Sequence, residues 1–241
     1  MDKAVFKSNL NHPEELLSEF FSAFDYFSEE ERNNISKAWF YLLDLCKNDS
    51  EVYVHALRVA YILAQNKLDS DTIIAAICHA AVSLGVLPEE LEKDIGENAA
   101  RIVLGASKIS FFSKASNTSH QDDSIRKMMF ELSDDVRIIL LKLADRLDKM
   151  RNLRTMETEN QKAVAEEVIE IWAPLADRLG MQAEKNELED LSLKYTNPDV
   201  FHQIKDIVSQ KQEERAQYLK SAVERIKERA WKQNIEVTIS S

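Results

Sequence analysis

Glycine and proline are scarce in this chain, and their scarcity limits the folds that it can adopt. Each occurs four times among 241 residues, well below the average usage of about 7% and 5%. Sheets and barrels need a turn between successive strands, and tight turns draw heavily on these two residue types. Long helices joined by few turns need fewer of them. The sequence therefore predicts an all-α fold.

The charge and the cysteine content restrict the partners and the compartment. With 42 acidic against 31 basic side chains, the net charge is −11, so the chain repels nucleic-acid phosphates and anionic lipids, and no DNA partner is expected. Cys46 and Cys78 lack the spacing of a zinc site and offer at most one disulfide, which favours a reducing cytoplasm. No stretch approaches the ~18 apolar residues of a membrane span. We expect a cytoplasmic protein without a membrane partner.

Local signals mark where helices begin and end. Ser28 and Glu31 have the spacing of a capping box before the second helix. Asp69 is placed as an N-cap, and Gly85 as the stop of the helix that follows it. Residues 109–123 are rich in Ser, Asn and Asp and predict a loop. Further helices are predicted at about 51–66, 71–84, 88–95, 97–108, 124–132, 134–150, 160–179, 182–194 and 199–232.

The C-terminal part of the chain changes in character. Its predicted helix is densely charged with both signs, which is typical of a solvated or spacer helix. Residues 235–241 alternate apolar and polar side chains and predict a lone strand, which needs a sheet to pair with. We divide the chain into N-terminal helices at 1–45, a domain at 46–196 to which those helices also belong, and a charged segment at 197–241 that leads to a linker or a further domain.

Three polar side chains interrupt apolar helical segments. His55 lies in the stretch VHALRVA, His79 follows an apolar run, and Asp145 lies within LADRL. A lone histidine among aliphatic residues is more often a hydrogen-bonded part of the core than a ligand. Two histidines with a carboxylate, however, are the donor set of a Mn, Fe or Zn site. LADRL recurs at 175–179, where we interpret the Asp–Arg pair as a brace of the helix.

A series of longer motifs carries a family resemblance. In chain order these are His55, Cys78-His79, KLADRL at 142–147, WAPLADRLG at 172–180, ELEDL at 187–191 and Asn197-Pro198. The series is similar to the N-terminal hydrolase half of RelA/SpoT-type guanosine polyphosphate enzymes and covers roughly residues 45–205. WAPLADRLG and ELEDL are the most specific part of the resemblance, because long ordered signatures rarely arise by chance.

The resemblance implies a fold and a chemistry. Such enzymes are all-helical HD-superfamily proteins in which histidines and aspartates hold a divalent ion, typically manganese, that activates water against the 3′-pyrophosphate of (p)ppGpp. Carried over to this sequence, His55, His79 and Asp145 resemble three of the four metal ligands. The fourth ligand, an aspartate directly after the second histidine, is replaced here by Ala80.

Further departures from the family pattern fall on positions that take part in the chemistry. Ser83 and Leu84 occupy the positions of a Glu-Asp pair that handles the nucleophilic water, and neither can act as a carboxylate base. Lys149 and Asn152 replace an Asn and a Thr. Lys149 lies one helical turn after Asp145 and is predicted to pair with it in place of a metal ion. We expect no cofactor, although three ligands can still hold manganese or zinc weakly.

These departures leave three functions open. The first is a regulatory, hydrolase-inactive HD domain of a guanosine polyphosphate protein, followed by a synthetase domain if the chain is a fragment. The second is a metal-dependent (p)ppGpp 3′-pyrophosphohydrolase with an altered metal site. The third is a sensor that binds GTP, GDP or (p)ppGpp without hydrolysis, with phosphate contacts from Lys47, Arg146 and Lys149. Lys108 is a further candidate, but ordinary surface charge explains Lys47 and Lys108 equally well.

Overall fold

The computed structural model of the chain describes Phe6 and residues 12–115, 135–155 and 157–232. The chain divides into two compact units, Met1–Ser192 and Leu193–Ser241. The helices of the described ranges, in chain order, are α1 (Pro13–Ala23), α2 (Glu29–Leu45), α3 (Ser50–Gln65), α4 (Ser70–Cys78), α5 (Pro88–Ile95), α6 (Glu97–Ala115), α7 (Val136–Arg151), α8 (Thr158–Glu167), α9 (Ala173–Arg178), α10 (Gln182–Thr196) and α11 (Pro198–Lys232). A 3-10 turn follows α7 at Leu153–Thr155.

The all-α fold predicted from the sequence is confirmed, since the described residues contain helices and turns but no strand. The strand predicted at 235–241 and the helix predicted at 124–132 lie outside those residues. None of the helices in the described ranges is long and apolar enough to cross a membrane. The predicted domain limits at residues 45 and 196 stay predictions.

Polar side chains cap the first turns of the helices that build the core. Ser28 accepts a hydrogen bond from the amide of Glu31, whose carboxylate accepts one from the amide of Ser28, so the predicted capping box begins α2. Asp69 accepts from the amide of Thr72 at 2.8 Å and caps α4 as predicted. Asp49 caps α3 in the same way. These caps satisfy amides that have no partner within the helix.

Helix α4 is shorter than the sequence predicts. It ends at Cys78, whereas the apolar run was predicted to stay helical up to Gly85. Beyond α4 several backbone amides bond carbonyls three residues back, as from Ala81 to Cys78 and from Gly85 to Val82, which tightens the chain into successive turns. The side chains that follow His79 therefore leave the helical spacing that the sequence pattern assumed.

Helix α6 is longer than predicted. It continues to Ala115, whereas the polar composition of 109–123 predicted a loop. Ile109 is buried, so the packed face of the helix extends beyond its predicted end, and packing outweighs the modest helix propensity of the serines. The rest of the predicted loop, from residue 116, lies outside the described residues.

A π-helical turn at Val168–Trp172 joins α8 to α9, where the sequence predicted one continuous helix. The amide of Ala173 bonds the carbonyl of Val168, five residues back. Pro174 comes next and has no amide hydrogen, so the ordinary four-residue spacing loses a hydrogen bond at this position. Trp172, the last residue of this turn, is buried.

Helix α3 is central to the first unit and packs against α4 and α7. Most of its aliphatic residues are buried, as are the apolar run of α4 and the inward face of α7. Helices α2 and α6 also pack against α4. Polar side chains on the inward faces of α3 and α7 therefore meet inside the first unit.

The long helix α11 of the second unit exposes apolar residues, among them Ile207, Tyr218 and Leu219.

Helices α6 and α7 approach each other closely at Gly105. A Cβ atom at Gly105 would overlap Cδ1 of Ile138 and lie 3.0 Å from its Cγ1. Replacement of Gly105 by alanine should lower the free energy of unfolding by about 1–3 kcal/mol, because overpacking forces side chains out of their rotamers. Urea unfolding measures this loss. In an Ile138→Val background, which lacks Cδ1, the loss should shrink; a loss of equal size would contradict the close approach.

Candidate metal centre

A cavity of about 380 Å³ opens in the first unit and is lined by α3, α6, α7 and the turns that follow α4. Aliphatic side chains form part of its wall. Its titratable lining residues are Asp49, Glu51, His55, His79, Lys142, Asp145 and Lys149. The cavity therefore brings together imidazole, carboxylate and ammonium groups from segments that are distant in the chain.

The three residues predicted as metal ligands are neighbours in this cavity. His55 comes from the middle of α3, His79 directly follows α4, and Asp145 comes from α7. One ligand atom from each lies within 4.8 Å of the other two. Asp145 is 1% exposed, whereas the two imidazoles are 21% and 14% exposed, so the carboxylate forms the floor of the site. Their role as metal ligands stays a prediction.

Hydrogen bonds orient both histidines. Nδ1 of His55 lies 2.7 Å from Oδ2 of Asp148, and Nδ1 of His79 lies 2.7 Å from the carbonyl of Ala76. Because carboxylate and carbonyl oxygens can only accept, both Nδ1 atoms donate. Both Nε2 atoms then face Asp145, at 3.1 Å and 3.9 Å from its Oδ1. Nε2 of His55 donates to Asp145 while the ring is protonated. Without that proton, this is the orientation in which histidines bind metals through Nε2.

Two lysines neutralise the same carboxylate. Nζ of Lys142 donates to Oδ2 of Asp145 at 2.6 Å, and Nζ of Lys149 lies 2.9 Å from Oδ1. The predicted pairing of Lys149 with Asp145 is therefore present. Lys142 is buried, whereas the side chain of Lys149 is 48% exposed at the cavity. The Lys142 contact is thus part of the core, and the Lys149 contact is accessible from solvent.

Burial and these contacts shift the protonation equilibria. Burial alone would raise the pKa of Asp145, but Lys142 and the other cations hold that pKa well below its ordinary value. Burial would lower the pKa of His55, but its hydrogen bonds to Asp145 and Asp148 raise it. Burial lowers the pKa of His79 to about 4. His79 is therefore a neutral imidazole at ordinary pH, with a lone pair on Nε2.

The donor set and its orientation fit a divalent transition ion. Two imidazoles and one carboxylate suit manganese, iron or zinc, and three protein ligands leave a position open for water or substrate. When Nε2 of His55 carries no proton, its lone pair faces Oδ1 of Asp145 directly, and a cation between them would remove the repulsion. Lys142 and Lys149 compete for the same carboxylate, so binding should be weak.

The positions at which the sequence departs from the family pattern lie beside these ligands. Ala80 and Ser83 line the cavity, whereas Leu84 is 42% exposed and is not part of the lining. A methyl and a hydroxyl group therefore stand in the wall where a ligand and a base were expected from the resemblance. The remaining carboxylates of the lining are Asp49, which caps α3, and Glu51.

Of the residues predicted to contact nucleotide phosphates, Lys149 lines the cavity. Lys47 and Lys108 are exposed elsewhere and do not line it. Arg146 lies against Trp172, with its guanidinium 5.4 Å from the ring centroid and 2.9 Å from Glu167. In the second LADRL motif the predicted Asp–Arg brace is wrong, since Asp177 pairs with Lys185 at 2.9 Å and Arg178 is exposed. A nucleotide contact by any of these residues stays a prediction.

Replacement of Arg146 by methionine should lower the free energy of unfolding by about 1–3 kcal/mol, because its cation–π contact and its ion pair are largely buried. Urea unfolding measures the change. The variant should leave the affinity of any ligand in the cavity unaltered. Arg101, whose side chain is 60% exposed, provides the comparison, since its replacement by methionine should cost little. Equal losses in the two variants would contradict the bracing role.

Arg58 and Asp148 belong to the site and were missed in the sequence. Asp148 accepts from Nδ1 of His55 and, at 2.7 Å, from Nε of Arg58. Each follows a predicted ligand by three residues, a spacing that places side chains on the same helix face. That spacing is the signal that could have found them.

Comparisons with known proteins give a consistent result. A model of the HD domain family matches residues 41–182. A GTP pyrophosphokinase of Myxococcus xanthus is 33% identical over 224 residues, which are 89% of this chain and 30% of that protein. A guanosine-3′,5′-bis(diphosphate) 3′-pyrophosphohydrolase of Aquifex aeolicus is 36% identical over 195 residues, which are 80% of this chain and 28% of that protein. A probable enzyme of the same name from Synechocystis is 36% identical over 192 residues, which are 79% of this chain and 25% of that protein. The chain spans less than a third of the length of these relatives.

Proposed function

We propose that this chain, which belongs to the HD domain family and is the HD domain of a RelA/SpoT-type protein, is a regulatory domain that does not hydrolyse (p)ppGpp. One observation carries the proposal. Beside His79 the cavity wall consists of Ala80 and Ser83, so neither position supplies a carboxylate. A site of this composition has three potential ligands but lacks the fourth ligand and the base that the resemblance implies.

The remaining ligands support metal binding more than turnover. His55, His79 and Asp145 would hold a divalent ion, which would supply charge neutralisation for a phosphate and a lowered pKa for bound water. A base must still take the proton of the attacking water. Asp49 is occupied as the cap of α3, which leaves Glu51 as the remaining candidate in the lining. We propose that Glu51 does not replace the missing pair.

A combined binding and turnover measurement tests the proposal. Calorimetric titration with manganese should show weak binding that His79→Ala abolishes. The same protein, incubated with ppGpp and manganese, should release no more pyrophosphate than the His79→Ala variant. Release that depends on manganese and on His79 would contradict the proposal. If Glu51→Gln then removed that activity, Glu51 would be the base.

A guanine-nucleotide sensor is the second candidate, and the position of Lys149 favours it. Its ammonium group lines the cavity and is accessible, which suits a phosphate contact. The relatives are named for reactions on guanosine nucleotides, and we propose the same ligand class here. Titration with GTP, GDP and ppGpp should then give binding that Lys149→Met weakens and Lys108→Met does not. Equal binding by both variants would argue against the cavity as the site.

The cytoplasm is the proposed location of the domain. Cys46 and Cys78 are both buried and free of disulfides, as expected in a reducing compartment. Fractionation of cells that produce the protein, with detection by antibody, would test this. Recovery in the membrane or extracellular fraction would contradict it.

A further inference from the structure

Asp148 is a buried carboxylate that lies behind the candidate ligands and outside the cavity lining. Its side chain is 1% exposed. Oδ2 accepts from Nδ1 of His55 at 2.7 Å and from Nη2 of Arg58 at 3.1 Å, and Oδ1 accepts from Nε of Arg58 at 2.7 Å. Arg58 thus binds the carboxylate in a bidentate manner, which fixes the plane of the carboxylate group. Asp148 therefore presents one immobilised oxygen to His55.

From this geometry we infer that Asp148, immobilised by Arg58, is a positioning residue: in the neutral ring of His55 it keeps the proton on Nδ1 and leaves the Nε2 lone pair facing Asp145. The inference rests on the ligand set of the proposed function and adds the residues that orient one of those ligands. Without an acceptor behind the ring, the proton could reside on either nitrogen. With the proton on Nε2, the ring would donate to Asp145 and could not bind a metal ion.

The distances indicate which nitrogen keeps the proton. The contact from Nδ1 to Asp148 is 2.7 Å, shorter than the 3.1 Å from Nε2 to Asp145. Both carboxylates also accept from cations, Asp145 from Lys142 and Lys149 and Asp148 from Arg58. It is therefore the shorter distance that favours Asp148 as the acceptor of the ring proton of His55. His79 has a comparable arrangement, with a backbone carbonyl behind Nδ1.

The alternative is that the Arg58–Asp148 pair only stabilises the fold. A second arginine–carboxylate pair in the chain serves as the control that distinguishes this structural role from the positioning role. Nε and Nη2 of Arg151 donate to the two carboxylate oxygens of Glu187, both at 2.7 Å. Arg151 lies on α7, as Asp148 does, but the carboxylate behind Nδ1 of His55 is that of Asp148 and not that of Glu187. Glu187→Ala should therefore reduce stability without altering His55.

The experiment reads the position of the ring proton in the metal-free protein. Nitrogen-15 NMR of His55, recorded where the ring is neutral, should show Nδ1 protonated in the wild type and in Glu187→Ala. In Asp148→Ala the proton should move largely to Nε2. Arg58→Met/Asp148→Asn should retain the wild-type pattern, because its amide oxygen can accept from Nδ1 and, without the guanidinium, its amide nitrogen does not oppose the Nε–H donor of Arg58.

Manganese and zinc titrations provide the second readout. Asp148→Ala should weaken binding by about 10- to 100-fold, the usual effect of losing the partner of a ligating histidine, and Arg58→Met/Asp148→Asn should weaken it less. Arg58→Met/Asp148→Ala keeps the test usable if the single variant unfolds, because it leaves no guanidinium without its carboxylate. An unchanged ring proton in the alanine variants would overturn the inference. Since this readout requires neither metal nor turnover, it is independent of whether the domain hydrolyses (p)ppGpp.

Discussion

Replacement of Asp145 by alanine should lower the free energy of unfolding by about 3–5 kcal/mol, the usual cost of removing one partner from a buried ion pair. Lys142 is 6% exposed and donates to this carboxylate at 2.6 Å, so the variant would leave a buried ammonium group without its nearest anion. His55 and Lys149 would lose the same partner. Urea unfolding, followed by circular dichroism, measures the loss.

The double variant Asp145→Ala/Lys142→Met separates ion pairing from packing. Replacing both members of a buried pair by apolar groups is often close to neutral, so the double variant should recover most of the lost stability. Asp177→Ala supplies a surface comparison, since its pair with Lys185 involves a carboxylate side chain that is 52% exposed, and it should cost less than about 1 kcal/mol. A double variant as unstable as the single one would exclude ion pairing as the cause.

The second large effect concerns metal affinity. Combining Ala80→Asp with Lys149→Asn should tighten manganese binding by about 2–3 kcal/mol, or roughly 30- to 150-fold. The first change adds a carboxylate to the cavity wall next to His79, and the second removes the accessible ammonium group that competes for Asp145. Calorimetric titration of the double variant against the wild type measures the gain.

A matched variant tests whether charge is responsible. Ala80→Asn, in the same Lys149→Asn background, has nearly the same size as the aspartate but lacks its negative charge. It should give less than a tenth of the gain in the binding constant. If the Asn and Asp variants bound manganese equally well, position 80 would not reach the ion, and the fourth ligand would have to come from another part of the cavity.

Much of the fold and the centre of the site follow from local patterns. Ser28 and Asp69 cap helices as predicted, because an N-cap depends on a few consecutive residues. His55, His79 and Asp145 were noticed because a polar side chain on an apolar helix face needs a partner, and the structure brings together the ligand set that the resemblance implied. The resemblance to a known family added the order of the ligands and the positions that depart from it.

The remaining features depend on interactions that a single segment does not display. Helix α4 ends early because the backbone after it forms tight turns, and no breaker residue marks that point in the sequence. The direction of Arg146 depends on Trp172, which lies in a different segment and is placed by the π-helical turn. Asp148 has a function only through His55 and Arg58 on another helix. Tertiary packing decides each of these.

The hydrogen bond between His55 and Asp148 joins residues 93 positions apart. Closing a loop of that length costs chain entropy before any contact offsets it, so the charges of the site obtain their partners only once α3 and α7 have docked. A partly folded chain that buried those charges unpaired would be destabilised by several kcal/mol per ion. In folding terms the site is a cooperative element: it disfavours loosely packed intermediates and selects one docked arrangement of the two helices.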